Sequence, residues 1–125
     1  MSKKPYETLT VCGTEYHFKI TTAHAVALEK KLGTDLLSGT EKIAEIGTLA
    51  EYYFAAGASL NDGINKIEDV YQLFDDYVTD GGSLEALQEL VYDILLTSGI
   101  ITDKAAESIK KAREKQLEAL QKLLN

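Results

Sequence analysis

The stretch Lys66–Gly82, KIEDVYQLFDDYVTDGG, constrains the fold more than any other part of this chain. Ile67, Val70, Tyr71, Phe74, Tyr77 and Val78 recur at the i, i+3, i+4, i+7 spacing that lines one face of an α-helix. Glu68, Asp69, Asp75, Asp76 and Asp80 fall largely elsewhere around the axis. Such a helix must bury its apolar face in a core or against a partner. Its acidic face belongs to water or to a basic surface. Periodicity names no reaction.

The elements on either side can be read in the same way. Polar and apolar residues alternate in Glu7–Cys12 and Glu15–Ile20, and Gly13-Thr14 fits a two-residue turn with glycine first. That turn pairs Val11 with Tyr16 and Leu9 with Phe18, and puts those four and Ile20 on one face that needs cover. Thr21 or Thr22 caps a helix running to about Leu32, with Ala25, Leu28 and Leu32 inward and Gly33 as its stop. Thr40 caps the next helix, whose inward side holds Ile43, Ile46, Ala50, Tyr53, Phe54 and Gly57. Gly47 in the middle of that helix costs about 1 kcal/mol relative to Ala, which implies a close neighbour there. Ser59–Asn65 is a polar loop.

After Gly81-Gly82, Ser83 opens a helix with Leu84, Leu87, Val91, Ile94 and Leu95 as its stripe, and Ser98-Gly99 ends it. Thr102 or Asp103 starts a terminal helix running nearly to Asn125, with Ala106, Ile109, Arg113, Leu117, Leu120 and Leu124 on one seam. The expected fold is α+β and mostly helical, an N-terminal β-hairpin packed on a bundle of about five helices. Residues 1–102 form the hairpin and helical body. Residues 103–125 form an amphipathic helix that packs on the same domain or meets an oligomer mate or partner.

Charge and residue usage exclude several functions. Residues 1–102 hold seven Lys and Arg against sixteen Asp and Glu, and residues 103–125 hold six against four. An acidic body of this kind is unsuited to nucleic acid, whose phosphates reward basic surfaces. No apolar run approaches the ~18 residues of a membrane span. The segment MSKKPYETLT has no apolar stretch after its basic residues, so it is not read as a secretory signal, and a cytosolic location is expected.

The single cysteine, Cys12, excludes an internal disulfide and is expected to serve as a buried or half-buried small side chain. His17 and His24 read as surface imidazoles on a strand and a helix. Tyr53, Tyr71, Tyr77 and Tyr92 read as core residues, with a protein-contact surface, where Tyr is enriched, as the alternative. A calcium loop counted from Asp76 fails, because Val78 and Leu87 stand where oxygen ligands are required. Phosphate-cradling and nucleophile-elbow motifs are absent from the sequence. Neither catalytic residues, a cofactor nor a metal is expected, and the chain is not expected to be an enzyme.

Two stretches, LTVCGTEYHFKITTAHAVALEKKLGTDLL and INKIEDVYQLFDDYVTDGGSLEALQELVYDILLTSGI, resemble the small tail assembly chaperones of long-tailed phages and prophages of Gram-positive bacteria. The likeness lies in a short hairpin with a glycine turn, a helix ending in Leu32-Gly33, the helix Asp69–Gly82, and a stretch ending in Ser98-Gly99 before a charged helix. It covers roughly residues 9–101. The resemblance implies a nonenzymatic protein of the host bacterial cytoplasm, absent from the mature virion. Its partners would be the tape measure protein and the tail tube protein, and this chain would be the short form of a pair made by frameshifting.

On this reading Ile109, Leu117, Leu120 and Leu124 carry self-association or client contact. Glu68, Asp69, Asp75 and Asp76 steer a client by charge. The alternative is a small prophage or bacterial regulatory or adaptor module that engages one folded partner through the same terminal helix.

Overall fold

The computed structural model describes residues 4–124; residues 1–3, the start of the MSKKPYETLT segment, and Asn125 lie outside the described residues. In chain order the elements are β1 (Glu7–Val11), β2 (Thr14–Phe18), α1 (Thr22–Leu32), α2 (Leu36–Gly39), a 3-10 turn (Thr40–Lys42), α3 (Ile46–Gly57), α4 (Ile67–Thr79), α5 (Leu84–Thr97) and α6 (Asp103–Leu124). The architecture is α+β and mostly helical, with the hairpin packed on the helices. Among the described residues the helices number six, because the short α2 lies between α1 and α3.

Helix α3 is the centre. Its sequence, IGTLAEYYFAAG, contains one ionisable carboxylate, Glu51, so it can be buried almost all round. Helices α1, α4 and α5 and strand β2 all pack on it. The Tyr53 ring meets Phe18 and Phe74 edge-on, at centroid distances of 5.1 and 5.2 Å. Its hydroxyl donates to the Leu87 carbonyl at 2.7 Å, and that of Tyr52 donates to the Leu36 carbonyl at 2.5 Å. Burial pushes both phenols above their usual range, so they remain donors. One helix thereby ties hairpin, α2, α4 and α5 together.

The hairpin differs from the sequence expectation in its turn. Cys12 and Gly13 occupy it, with φ of 49° and 80°, the positive pair that a type I′ turn needs. The register is Glu7↔Phe18, Leu9↔Tyr16 and Val11↔Thr14, so Val11 does not face Tyr16 nor Leu9 face Phe18. The displacement is two residues, an even number, so the same side chains stay on the covered face. Cys12 is consequently exposed and does not fill the core. Its N–H donates to Asp80 Oδ2 at 2.9 Å, which docks the turn on the end of α4. Partial desolvation, then the Asp80 and Asp76 carboxylates, hold its thiol above the usual range, the wrong direction for a nucleophile.

Residues 33–45 also depart from expectation. Gly33, at φ 72°, ends α1 with its N–H on the Glu29 carbonyl, as its position implied. Asp35 then caps α2, accepting from the Ser38 N–H at 2.7 Å. The Thr40 hydroxyl donates to the Leu37 carbonyl at 2.6 Å, so Thr40 does not cap the next long helix. Leu36 and Ile43 are both buried and pin this segment at two points. Helix α3 therefore starts at Ile46, which is exposed rather than inward. Gly47 has nothing within 4 Å of the side chain it lacks; the close approach is at Gly57.

The glycine stops of α4 and α5 act as their sequence promised. The Gly82 N–H returns to the Tyr77 carbonyl and that of Gly81 to Val78, a Schellman ending with Gly81 at φ 101°. The same pair of bonds recurs from Ile100 to Leu95 and from Gly99 to Leu96. Ser83 caps α5 by accepting from the Ala86 N–H at 3.1 Å. At His17 the outer edge of β2 is closed by a side chain. Asn61 accepts from the His17 N–H at 2.9 Å and donates to the His17 carbonyl at 2.7 Å.

Candidate partner-binding surfaces

Helix α6 divides at Arg113. Before it, Ala106 is buried and Ile109 half-buried against the core. Lys110 Nζ lies 2.7 Å from Asp93 Oδ1, and Arg113 Nε lies 2.9 Å from Glu89 Oε1, with the guanidinium also donating to Gln88. The bond to Asp93 raises the Lys110 pKa, keeping that clamp charged. Arg113 thus fastens α6 to α5. After Arg113 the seam is bare: Leu117 is 36 %, Leu120 55 % and Leu124 82 % exposed. Of the residues assigned to client or self-contact, Ile109 is committed to the domain and the other three are free.

A second uncovered apolar surface lies on α4. Its buried positions are Val70, Leu73 and Phe74, while Ile67 and Tyr77 are half-buried. Tyr71 and Val78 are exposed instead of inward, because the arc covered by α3 and β1 is narrower than the apolar arc of α4. With Ile46, Phe74 and Leu84 they line an open groove of about 500 Å³ that Asp75 borders.

The helices around this groove are acidic. Helices α3, α4 and α5 contain eight Asp and Glu and no Lys or Arg. Of these, Glu51, Glu89 and Asp93 are paired with Lys31, Arg113 and Lys110. Glu68, Asp75 and Glu85 make no ion pair among the described residues.

The four carboxylates assigned to steering have different surroundings. Glu68 and Asp75 are exposed. Asp76 is half-buried and accepts from the Gln72 amide at 2.9 Å. Asp69 accepts from the N–H groups of Asn65 and Lys66, at 2.8 and 3.1 Å, at the positive end of α4. The Asn65 bond, followed by the Lys66 bond and charge, holds its carboxyl below the usual range.

A group with a lowered native pKa contributes stability above its ordinary value, and loses it as pH falls through the native value. Asp69→Ala is therefore expected to melt at a lower temperature than the parent at pH 7. The gap should close as pH falls through the lowered native value of the Asp69 carboxyl, in thermal melts followed by circular dichroism.

Among the described residues no group of three or more His, Cys, Asp and Glu is placed to hold a metal. His17 stacks on Tyr6 at 4.0 Å and lies 3.5 Å from Glu15, while His24 bonds the Thr21 hydroxyl at 2.8 Å. None of the helices among the described residues is long and apolar enough to cross a membrane. The surfaces define a helical protein with two apolar faces available to other chains. Compared with protein-family models, with curated proteins and with solved structures, the chain finds no significant match.

Proposed function

We propose that this chain is a nonenzymatic phage tail assembly chaperone, which holds a long helical tape measure protein soluble and helps tail tube subunits polymerise around it. The observation that carries the reading is the bare leucine row of α6 beyond Arg113. A chaperone of a helical client needs such a row, which packs side by side with another amphipathic helix and then lets go. The motif likeness over residues 9–101 supports the same reading and supplies the client's identity. The acidic helices add long-range attraction for basic stretches of a client, which speeds encounter more than it tightens the complex.

The test is co-expression with the long helical protein encoded beside this chain. The client is expected to become soluble and to co-purify. Leu117→Asp with Leu124→Asp, both exposed positions, should abolish co-purification and leave the melting temperature of the chaperone unchanged. A client that stays insoluble, or is soluble alone, would overturn the reading. One folded partner bound at fixed stoichiometry would favour an adaptor instead.

A further inference from the structure

Helix α4 turns two parallel rows toward solvent beside its groove of about 500 Å³. At 3.6 residues per turn, residues seven apart return to within about 20° of each other around a helix. Glu68 and Asp75 form one such row. Tyr71 and Val78 form the next, about 60° nearer to the buried Phe74. All four are exposed, Tyr71 by 45 % and Val78 by 47 %. Ile46, at the start of α3, and Leu84, at the start of α5, extend the apolar lining. None of the lining residues is basic; Lys42 and Lys66, near these residues in sequence, are not among them. Glu68 and Asp75 make no ion pair among the described residues.

We infer that this groove docks a cationic amphipathic helix of another polypeptide, laid along α4. From Tyr71 to Val78, and from Glu68 to Asp75, is seven residues, two helical turns, or about 10.5 Å. A helix lying alongside meets the inner row with apolar residues at i, i+3 and i+7. It meets the outer row with two cations, also seven apart. The apolar contacts hold the complex, and the carboxylates at the rim orient it and speed its formation.

Charge decides among the occupants. A second copy presenting the same face sets Glu68 and Asp75 against the same acids of its mate, and like charges oppose that pairing. Membrane surfaces and nucleic acids are anionic and are disfavoured for the same reason. Helices α3, α4 and α5 carry no Lys or Arg, so the segment that fits must bring the positive charge itself. The site is separate from the leucine row of α6. The inference stands on α4 and its groove and does not depend on the chaperone reading.

The probe that tests it is a synthetic peptide of about 20 residues, long enough to hold a helix, with leucines in the i, i+3, i+7 pattern and lysines beside them. Titrated into the isotope-labelled full chain, it should shift backbone NMR signals centred on Ile46, Tyr71, Val78 and Leu84. Its affinity should fall as salt is added. Peptides with the same residues in shuffled order, or with Glu in place of Lys, should not bind. Val78→Lys should weaken binding on the order of tenfold with the melting temperature unchanged. Val26→Lys, the same change at a position of α1 that is 46 % exposed, should bind as the parent does. Glu68→Lys with Asp75→Lys should reverse the preference and take the Glu peptide over the Lys peptide. No binding, equal binding of the shuffled peptide, shifts centred on α6, or Val78→Lys binding like the parent would each overturn the proposal. So would dimers in sedimentation that Val78→Lys abolishes, because the occupant would then be a second copy.

Discussion

Tyr53→Ala is expected to remove about 3–5 kcal/mol of stability, the range for truncating a buried aromatic side chain. Tyr53 has no exposed surface, and its ring joins the hairpin to α4 by meeting Phe18 and Phe74 edge-on. Each such aromatic pair adds about 0.5–1.5 kcal/mol beyond area burial. Domains of this kind hold only about 5–15 kcal/mol in total, so a large share of the native margin goes with one side chain. Urea unfolding monitored by circular dichroism should show a much lower midpoint with little change in slope. Tyr53→Phe keeps both ring pairs and loses only the hydroxyl bond to Leu87, so a drop of about 1 kcal/mol is expected. A Phe variant as weak as the Ala variant would place the tie in the hydroxyl rather than in the ring.

Gly57→Leu should be nearly as damaging, by overfilling rather than emptying the same region. A Cβ at position 57 would come within 2.8 Å of Phe18 Cε1 and 3.0 Å of Ile64 Cδ1. Both neighbours are fully buried, and the Phe18 ring also packs edge-on against Tyr53, one turn before Gly57 on α3, so there is little room to yield. Overpacking of this sort costs about 1–3 kcal/mol even for small additions. Gly57→Ala recovers up to about 1 kcal/mol of helix propensity, so it should lose less than the leucine variant. Phe18→Leu combined with Gly57→Ala relieves the ring contact, and the pair should be less destabilised than the two single losses added together. Additivity in that cycle would mean that the Phe18 ring is not what forbids a side chain at Gly57.

Local chemistry made much of this fold legible. The caps at Gly33, Ser83, Gly81 and Gly99 depend on neighbours within a few residues, and a sequence window contains all of them. The turn of the hairpin was not so contained. Gly13-Thr14 and Cys12-Gly13 are both chemically acceptable two-residue turns, and Asp80, 68 residues away, engages the Cys12 N–H. The segment from Leu36 to Ile43 buries Leu36, Gly39, Thr40 and Ile43 at helical spacing, but the middle pair has no large apolar side chain, so α2 left no apolar pattern to read.

Tyr71 and Val78 obeyed the helical period and still faced out, because period tells which side of a helix is apolar and not how much of it a neighbour covers. The α6 seam shows the same limit. Its spacing was regular from Ala106 to Leu124, yet Arg113, the residue that interrupts it, is where the helix stops being fastened to its own domain. Of the assigned carboxylates, Asp69 was drawn into α4's first turn by donors its sequence neighbours supply.

Asn61 settles how the hairpin edge behaves toward other polypeptides. A strand rim normally offers a row of alternating donors and acceptors, a template on which foreign strands can align. Here one carboxamide imitates the passing strand at His17, and the Lys19 N–H is taken by the Ala56 carbonyl at 3.0 Å. That stretch of rim is already satisfied. From His17 to Lys19, therefore, an incoming extended chain finds no free backbone pair on which to align.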